Sequence, residues 1–326
     1  MRKLLLSSTA LATAAALTAG AAVADVSISA ATEFSYESRS SQVAASDGTT
    51  FNTDSEIHFN FTNKTDTGLT IGYKAEMFSD GTDTAIEESS MSISGGFGKI
   101  VLGEDDGVGD SFGIAEMDLI AEESNSNAVS TSINVNSDIA HISNKKQIAY
   151  FLPAMGGFTA GASFYDSGTN TGTDATSYGA QYTMDANGTA ITIGAATNTT
   201  EAATKDTDSQ NMGVKIVSGN ISMILSSGSE EGVDEDITTQ GASVSYKMDN
   251  GMTLAAYTLK SEDDLDAGEE YAASGVEVQY TIAAGLTAVL TVDDYEYTAA
   301  TSQDATRTAT GGDAGTTTSL TLKATF

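Results

Sequence analysis

The sequence predicts an all-β chain, a 16-stranded antiparallel transmembrane β-barrel, a strand count fixed to about sixteen by counting alternating segments. Three observations predict it. Short segments of alternating polar and apolar residues recur along the chain, joined in turn by tight turns and by longer polar loops. The last segment runs to the C-terminal residue, with Leu320, Leu322, Ala324 and Phe326 on one face and Thr321, Lys323 and Thr325 on the other. Beyond the N-terminal 24 residues, no apolar run is long enough for a membrane helix, and in lipid only helices and closed barrels satisfy their backbone hydrogen bonds.

The N-terminus reads as a secretory signal peptide. Arg2 and Lys3 form a short positive head, Leu4 to Leu17 is an apolar run rich in Leu and Ala, and Ala22-Val23-Ala24 is a small-x-small cleavage site. Cleavage between Ala24 and Asp25 is expected, leaving 25–326 as a single barrel domain. The leader is too short, and wrongly flanked, to act as a membrane anchor.

Composition narrows the partners. Without Arg2 and Lys3 the chain keeps 12 basic residues against 45 acidic ones, a formal net charge of −33. Nucleic acid is excluded, because phosphate binding needs clustered Lys and Arg. Such a charge suits salt water, divalent cations or a cation-selective lumen. With no cysteine, the chain has no disulfide framework and its stability must come from the sheet. Thr, Ser, Gly and Ala are spread evenly, and the one proline marks no domain boundary.

The hairpins follow in order. Ile57, Phe59 and Phe61 alternate with Glu56, His58 and Asn60, and turn at Asn63 to Gly68 into Leu69, Ile71, Tyr73, Ala75 and Met77. Met91 and Ile93 turn at Gly95-Gly96-Phe97-Gly98 into Ile100 and Leu102. Phe158 to Phe164 follow the turn at Ala154 to Gly157. Tyr178 to Met184 turn at Asp185-Ala186-Asn187-Gly188 into Ile191, Ile193 and Ala195. Later pairs turn at Ser218-Gly219-Asn220, at Asp249-Asn250-Gly251 and at Ala283 to Gly285. Asn-Gly between alternating runs is a strong hairpin signal. The apolar sets are expected on the lipid face, and the Ser, Thr, Gly and charged sets in the interior. Tyr36, Tyr150, Tyr182, Tyr246, Tyr280, Phe151, Phe158 and Phe326 fall near strand ends, where aromatic girdles belong.

Glu104 to Asn144 breaks the rhythm. It carries Glu104, Asp105, Asp106, Asp110, Glu116, Asp118, Glu122, Glu123 and Asp138, with no Lys or Arg. A connection this long is usually functional. Phe112, Ile114, Met117, Leu119 and Ile120 make it too apolar for a solvated loop and suggest a short helix or packed turn resting on a wall.

Two stretches resemble a known family. Ser92-Ile93-Ser94-Gly95-Gly96-Phe97-Gly98-Lys99-Ile100-Val101-Leu102-Gly103-Glu104-Asp105-Asp106-Gly107 is similar to the hairpin leading into the constriction loop of α-proteobacterial general diffusion porins. Tyr150-Phe151 to Gly156-Gly157-Phe158-Thr159-Ala160-Gly161-Ala162 resembles the hairpin after that loop. With the leader and the terminal aromatic, the likeness spans the chain. The resemblance implies a homotrimer of sixteen-stranded, water-filled barrels in the Gram-negative outer membrane, in contact with lipid and lipopolysaccharide. It implies passive passage of small hydrophilic solutes, no reaction and no required cofactor. It also implies that 104–144 folds inward as a constriction loop, and that Phe326 is the signal read by the barrel assembly machinery. Glu116, Asp118, Glu122 and Glu123 are the carboxylates expected to face a permeating ion.

In that family an acidic loop usually faces a wall cluster of Arg and Lys. Here only Arg39 and Arg307 remain as arginines after the leader. Alternation puts Arg39, Lys74, Lys99, Lys215, Lys247 and Lys323 on the lumen-facing set. Lys99, Lys247 and Lys323 fall near the short-turn end, which leaves Lys74 as the best-placed basic residue at the constriction. A thin basic side implies cation preference.

Three further features have competing readings. Asp105, Asp106 and Asp110, with Gly107 and Gly109 between them, suit a hard cation, Ca²⁺ or Mg²⁺, or else form a solvated acidic rim. Gly95 to Lys99 lacks the spacing and the Ser or Thr of a phosphate loop and reads as a hairpin turn. His58 and His141 are the only histidines, with no G-x-S-x-G or H-E-x-x-H around them, so no catalysis is expected. A soluble β-helix or sandwich adhesin would explain the Thr and Gly content, but not the paired turn lengths or the aromatic ending. A sugar-specific channel would need an aromatic ladder, and a phosphate channel clustered lumen Arg or Lys.

Overall fold

The computed structural model describes residues 25–42, 47–78, 86–122, 137–138, 142, 145–166, 173–202, 204–233, 236–265, 268–298 and 312–326. The leader Met1–Ala24 and Glu123 therefore lie outside the described residues. Sixteen strands run in chain order. They are β1 Asp25–Ser41, β2 Gly48–Lys64, β3 Thr70–Phe78, β4 Ile86–Gly95, β5 Gly98–Asp105, β6 Lys145–Phe151, β7 Phe158–Tyr165 and β8 Ala175–Ala186. Then follow β9 Thr189–Thr200, β10 Thr207–Ser218, β11 Ile221–Glu231, β12 Asp236–Lys247, β13 Met252–Asp263, β14 Glu269–Ala283, β15 Leu286–Thr298 and β16 Asp313–Thr325.

Each strand pairs antiparallel with its chain neighbours, and β1 pairs with β16 to close the barrel. Closure removes both sheet edges, so no row of backbone donors faces lipid. The chain end completes the seam: the Phe326 N–H donates to the Ala30 carbonyl at 2.8 Å and the Ala30 N–H donates back at 3.2 Å. No described helix is long and apolar enough to cross a membrane, and the crossing is made by strands.

The turns at one end are the tight ones read from the sequence. Asn187 and Gly188 hold φ of 55° and 85°, the left-handed pair that a two-residue hairpin needs. The alternation of faces also holds. On β10, Met212 is 62% exposed while Asn211 beside it is 2% exposed. Ile28, Phe34, Leu320 and Leu322 likewise point out, as the lipid-facing set.

Phe151 departs from the expected girdle. It follows the inward phase of Val101 and Ala149 and packs with Phe112 at a ring separation of 6.0 Å. One step of register moves a side chain to the other face, and strand-end position alone does not fix the phase.

The barrel's buried apolar clusters lie inside it. Val101, Val108, Phe112 and Ala149 form one cluster. Met117, Ile237, Tyr257, Leu259, Tyr271, Ala273, Tyr295 and Tyr297 form the other, with Ile120 against it. Val108, Phe112 and Met117 come from the long connection, so this segment is packed into the barrel.

Candidate functional site

The inward segment begins later than its sequence limits suggested. Glu104 and Asp105 still belong to β5, paired with Lys146 and Lys145 of β6. The inward turn starts at Asp106. A short helix, Val108–Phe112, and a 3-10 turn, Glu116–Leu119, follow. The helix rests on β7, β8 and β9, and the 3-10 turn on β11, β12 and β13.

Glycines make room for it. Gly194, Gly213, Ser226 and Gly241 are directly opposite one another across β9 to β12. Built Cβ atoms at these glycines would collide with the segment: Gly194 with the Phe112 carbonyl at 2.5 Å, and Gly241 with Glu116 Oε2. At Gly179 on β8 the obstacle is Phe112 itself, at 2.7 Å. A glycine inside a strand signals close approach of other atoms, and here a whole row does so. Sequence reading counted the glycines but missed the row, although each stands on the polar, inward phase of its strand.

Polar wall groups then hold the backbone. The Val108 N–H donates to Ser163 Oγ at 3.1 Å and the Gly109 N–H to Ser177 Oγ at 2.6 Å. Asn211 accepts from the Ile114 N–H at 2.8 Å and donates to its carbonyl at 3.2 Å. Farther along, Glu277 of β14 accepts the N–H groups of Ala121 at 2.9 Å and Glu122 at 2.8 Å. Lys323 of β16 donates to the Ala121 carbonyl at 2.6 Å and pairs with Glu122 at 2.7 Å and Glu33 at 3.0 Å. The segment thus follows the inner wall from β7 round to the β16–β1 seam.

The three described loop carboxylates take different places, and Glu123 lies outside the described residues. Glu116 is fully buried and does not face the open lumen. It accepts from Ser226 Oγ at 2.8 Å, from Ser137 Oγ and from the Ser137 N–H at 3.3 Å. Close approach at Gly241 and two serine donors make it an anchor to the wall. Asp118 is exposed, and its carboxylate also accepts the Ala115 N–H at 3.2 Å. Glu122 is partly exposed and bound to Lys323. That contact corrects the expectation that Lys323 lies away from the constriction, because the segment reaches it.

Two other inner-wall bases, Lys74 and Arg39, are ion-paired as well. Lys74 contacts Glu88 at 2.7 Å, Glu76 at 3.6 Å and Asp105 at 3.7 Å, and Arg39 contacts Glu37 at 3.0 Å. Both are on the inner wall, as alternation indicated, each held by carboxylates.

Asp105, Asp106 and Asp110 are not brought together as a ligand set. Asp105 turns to Ser90 Oγ, at 2.8 Å, and to Lys74, while Asp110 is exposed on the helix. Strand pairing directs Asp105 at the wall and the helix carries Asp110 away. Among the described residues the one group with converging ligand atoms is Glu56, His58 and Glu76.

A closed sixteen-strand barrel with an apolar outside, a polar inside and a segment folded against its inner wall defines a pore through a membrane. The chain matches the Gram-negative porin family model over residues 10–326, and it belongs to that family. It is an outer-membrane diffusion channel by class, a class whose members are typically non-enzymatic. Solved structures share the fold. An anion-selective porin from Comamonas acidovorans is 15% identical, with a TM-score of 0.65 over 93% of this chain and 100% of that one. The trimer form of OmpT from Vibrio cholerae is 13% identical, with a TM-score of 0.65 over 93% and 99%. A mutant of the Rh. blastica porin is 18% identical, with a TM-score of 0.64 over 92% and 100%. No curated protein sequence matches the chain significantly.

Proposed function

We propose that this porin passes ions and small hydrophilic solutes by diffusion and favours cations. The carrying observation is the state of three inner-wall bases. Arg39, Lys74 and Lys323 are each ion-paired, to Glu37, to Glu88 with Glu76 and Asp105, and to Glu33 with Glu122. Carboxylates outnumber the cations in these groups, and Glu56 and Glu277 add to the same wall. A lumen lined by one sign of charge concentrates ions of the other sign. The anion selectivity of the Comamonas acidovorans porin belongs to that protein, since 15% identity carries the fold and not the lining.

The segment after Asp105 is the narrow point in this reading, with Asp118 and Glu122 at its edge. The chain is exported through a signal peptide cleaved after Ala24 and assembles as a homotrimer in lipid and lipopolysaccharide. The barrel assembly machinery reads Phe326. The trimeric OmpT neighbour supports the oligomer.

A planar lipid bilayer under a KCl gradient tests the selectivity. Ohmic steps with a reversal potential close to the K⁺ limit are expected. A reversal potential at zero, or on the Cl⁻ side, overturns the cation preference.

A further inference from the structure

On the inner wall, three side chains from β2 and β3 converge. His58 of β2 lies directly opposite Glu76 of β3, and Glu56 is two residues along β2 on the same face. His58 Nδ1 is 3.2 Å from Glu76 Oε2, and His58 Nε2 is 3.2 Å from Glu56 Oε2. Glu56 and Glu76 are buried. The two imidazole nitrogens differ: Nε2 is buried yet makes no hydrogen bond.

We propose that Glu56 and His58 form a binding site for a divalent transition-metal ion, with Zn²⁺ as its probe. Two ligand atoms 3.2 Å apart subtend an angle of about 100° at an ion held at zinc–ligand distances of about 2.0–2.2 Å, which suits tetrahedral coordination. Nε2 and a Glu56 oxygen would be those ligands, and water from the lumen would complete the shell. Glu76 acts from the other side of the ring: accepting the Nδ1 proton fixes the tautomer that leaves Nε2 a lone pair for the metal. The Lys74 ammonium, 3.6 Å from the same Glu76 oxygen, holds Glu76 to that side, and its charge is met by Glu88 and Asp105. An imidazole nitrogen favours Zn²⁺, Ni²⁺ or Cu²⁺ over Ca²⁺ and Mg²⁺, which want oxygen ligands alone.

Titration of the folded, detergent-solubilised protein with Zn²⁺, by calorimetry, tests the site. One saturable Zn²⁺ per chain is expected, bound more tightly than Ca²⁺. His58→Ala should abolish it, and Glu56→Gln should weaken it by at least about tenfold. Glu76→Gln should weaken it by about tenfold, the usual effect of losing the partner that orients a ligating histidine. His141→Ala, the control for the chain's other histidine, should leave it unchanged. Heat-modifiable migration reports the fold of each variant, and should His58→Ala fail to fold, Glu56→Gln decides. The proposal is overturned if Zn²⁺ uptake is the same in His58→Ala or Glu56→Gln as in the parent, is lost in His141→Ala, is no tighter than Ca²⁺ uptake, or is absent. Absence would identify His58 as an imidazolium bridging two carboxylates.

Discussion

Gly241 has no side chain because Glu116 fills the space where one would be: a Cβ built there would lie within 2.6 Å of three atoms of the Glu116 side chain. Glu116 cannot swing aside cheaply, since Ser226 and Ser137 hold its carboxylate. Gly241→Ala should therefore displace the 3-10 turn, at a cost of about 1–3 kcal/mol, typical of overpacking. The barrel itself should persist, because its strand ladder is untouched. Single-channel conductance is the measurement, and a larger step is expected; an unchanged step would show that the turn does not narrow the lumen.

Glu277 and Lys323 clamp the segment at Ala121 and Glu122 from opposite directions, one accepting N–H groups and the other binding a carbonyl and a carboxylate. Hydrogen bonds to charged groups contribute about 1.5–3 kcal/mol each when buried. Glu277→Gln weakens the acceptor, and Lys323→Met leaves Glu33 and Glu122 facing each other. Both variants should show noisier open-channel current than the parent. Quiet current in both would mean that the upstream contacts hold the segment alone.

Carboxylates on one loop should divide by where they point. Asp118→Asn with Glu122→Gln should lower the K⁺ over Cl⁻ permeability ratio a few-fold, since a single charge at about 4 Å in water contributes about 1 kcal/mol. Glu116→Gln should change that ratio less and stability more, because its buried carboxylate binds the wall. Reversal potentials and thermal unfolding of the variants separate the two effects. Equal shifts in reversal potential would contradict the division.

Deleting Phe326 removes the pair of backbone hydrogen bonds with Ala30 at the seam, and little buried surface, since the residue is 65% exposed. The truncated chain should still fold in detergent but accumulate poorly in the outer membrane. Comparing refolding yield with the amount in outer-membrane fractions tests this, and normal accumulation would remove Phe326 as an assembly signal.

The strands were legible because their cause is local. A period of two, a turn residue with positive φ at Gly188 and a polar or apolar choice at each position determine hairpins before any distant contact forms. The same alternation placed Arg39, Lys74 and His58 inside. Five apolar residues marked the long connection as packed.

What that connection touches was decided only by closure of the barrel. Glu116, Asp118 and Glu122 are alike in sequence, yet one is buried against Gly241, one is exposed and one is bound to Lys323, some 200 positions away. The glycine row arises from register across four strands, and the pairing of Glu56 with His58 and Glu76 from register across two. The sequence by itself determined the barrel, its two faces and the acidity of its lining. The tertiary structure decided which acids anchor, which face the lumen and which meet a cation, because those outcomes depend on distances between strands that periodicity does not encode.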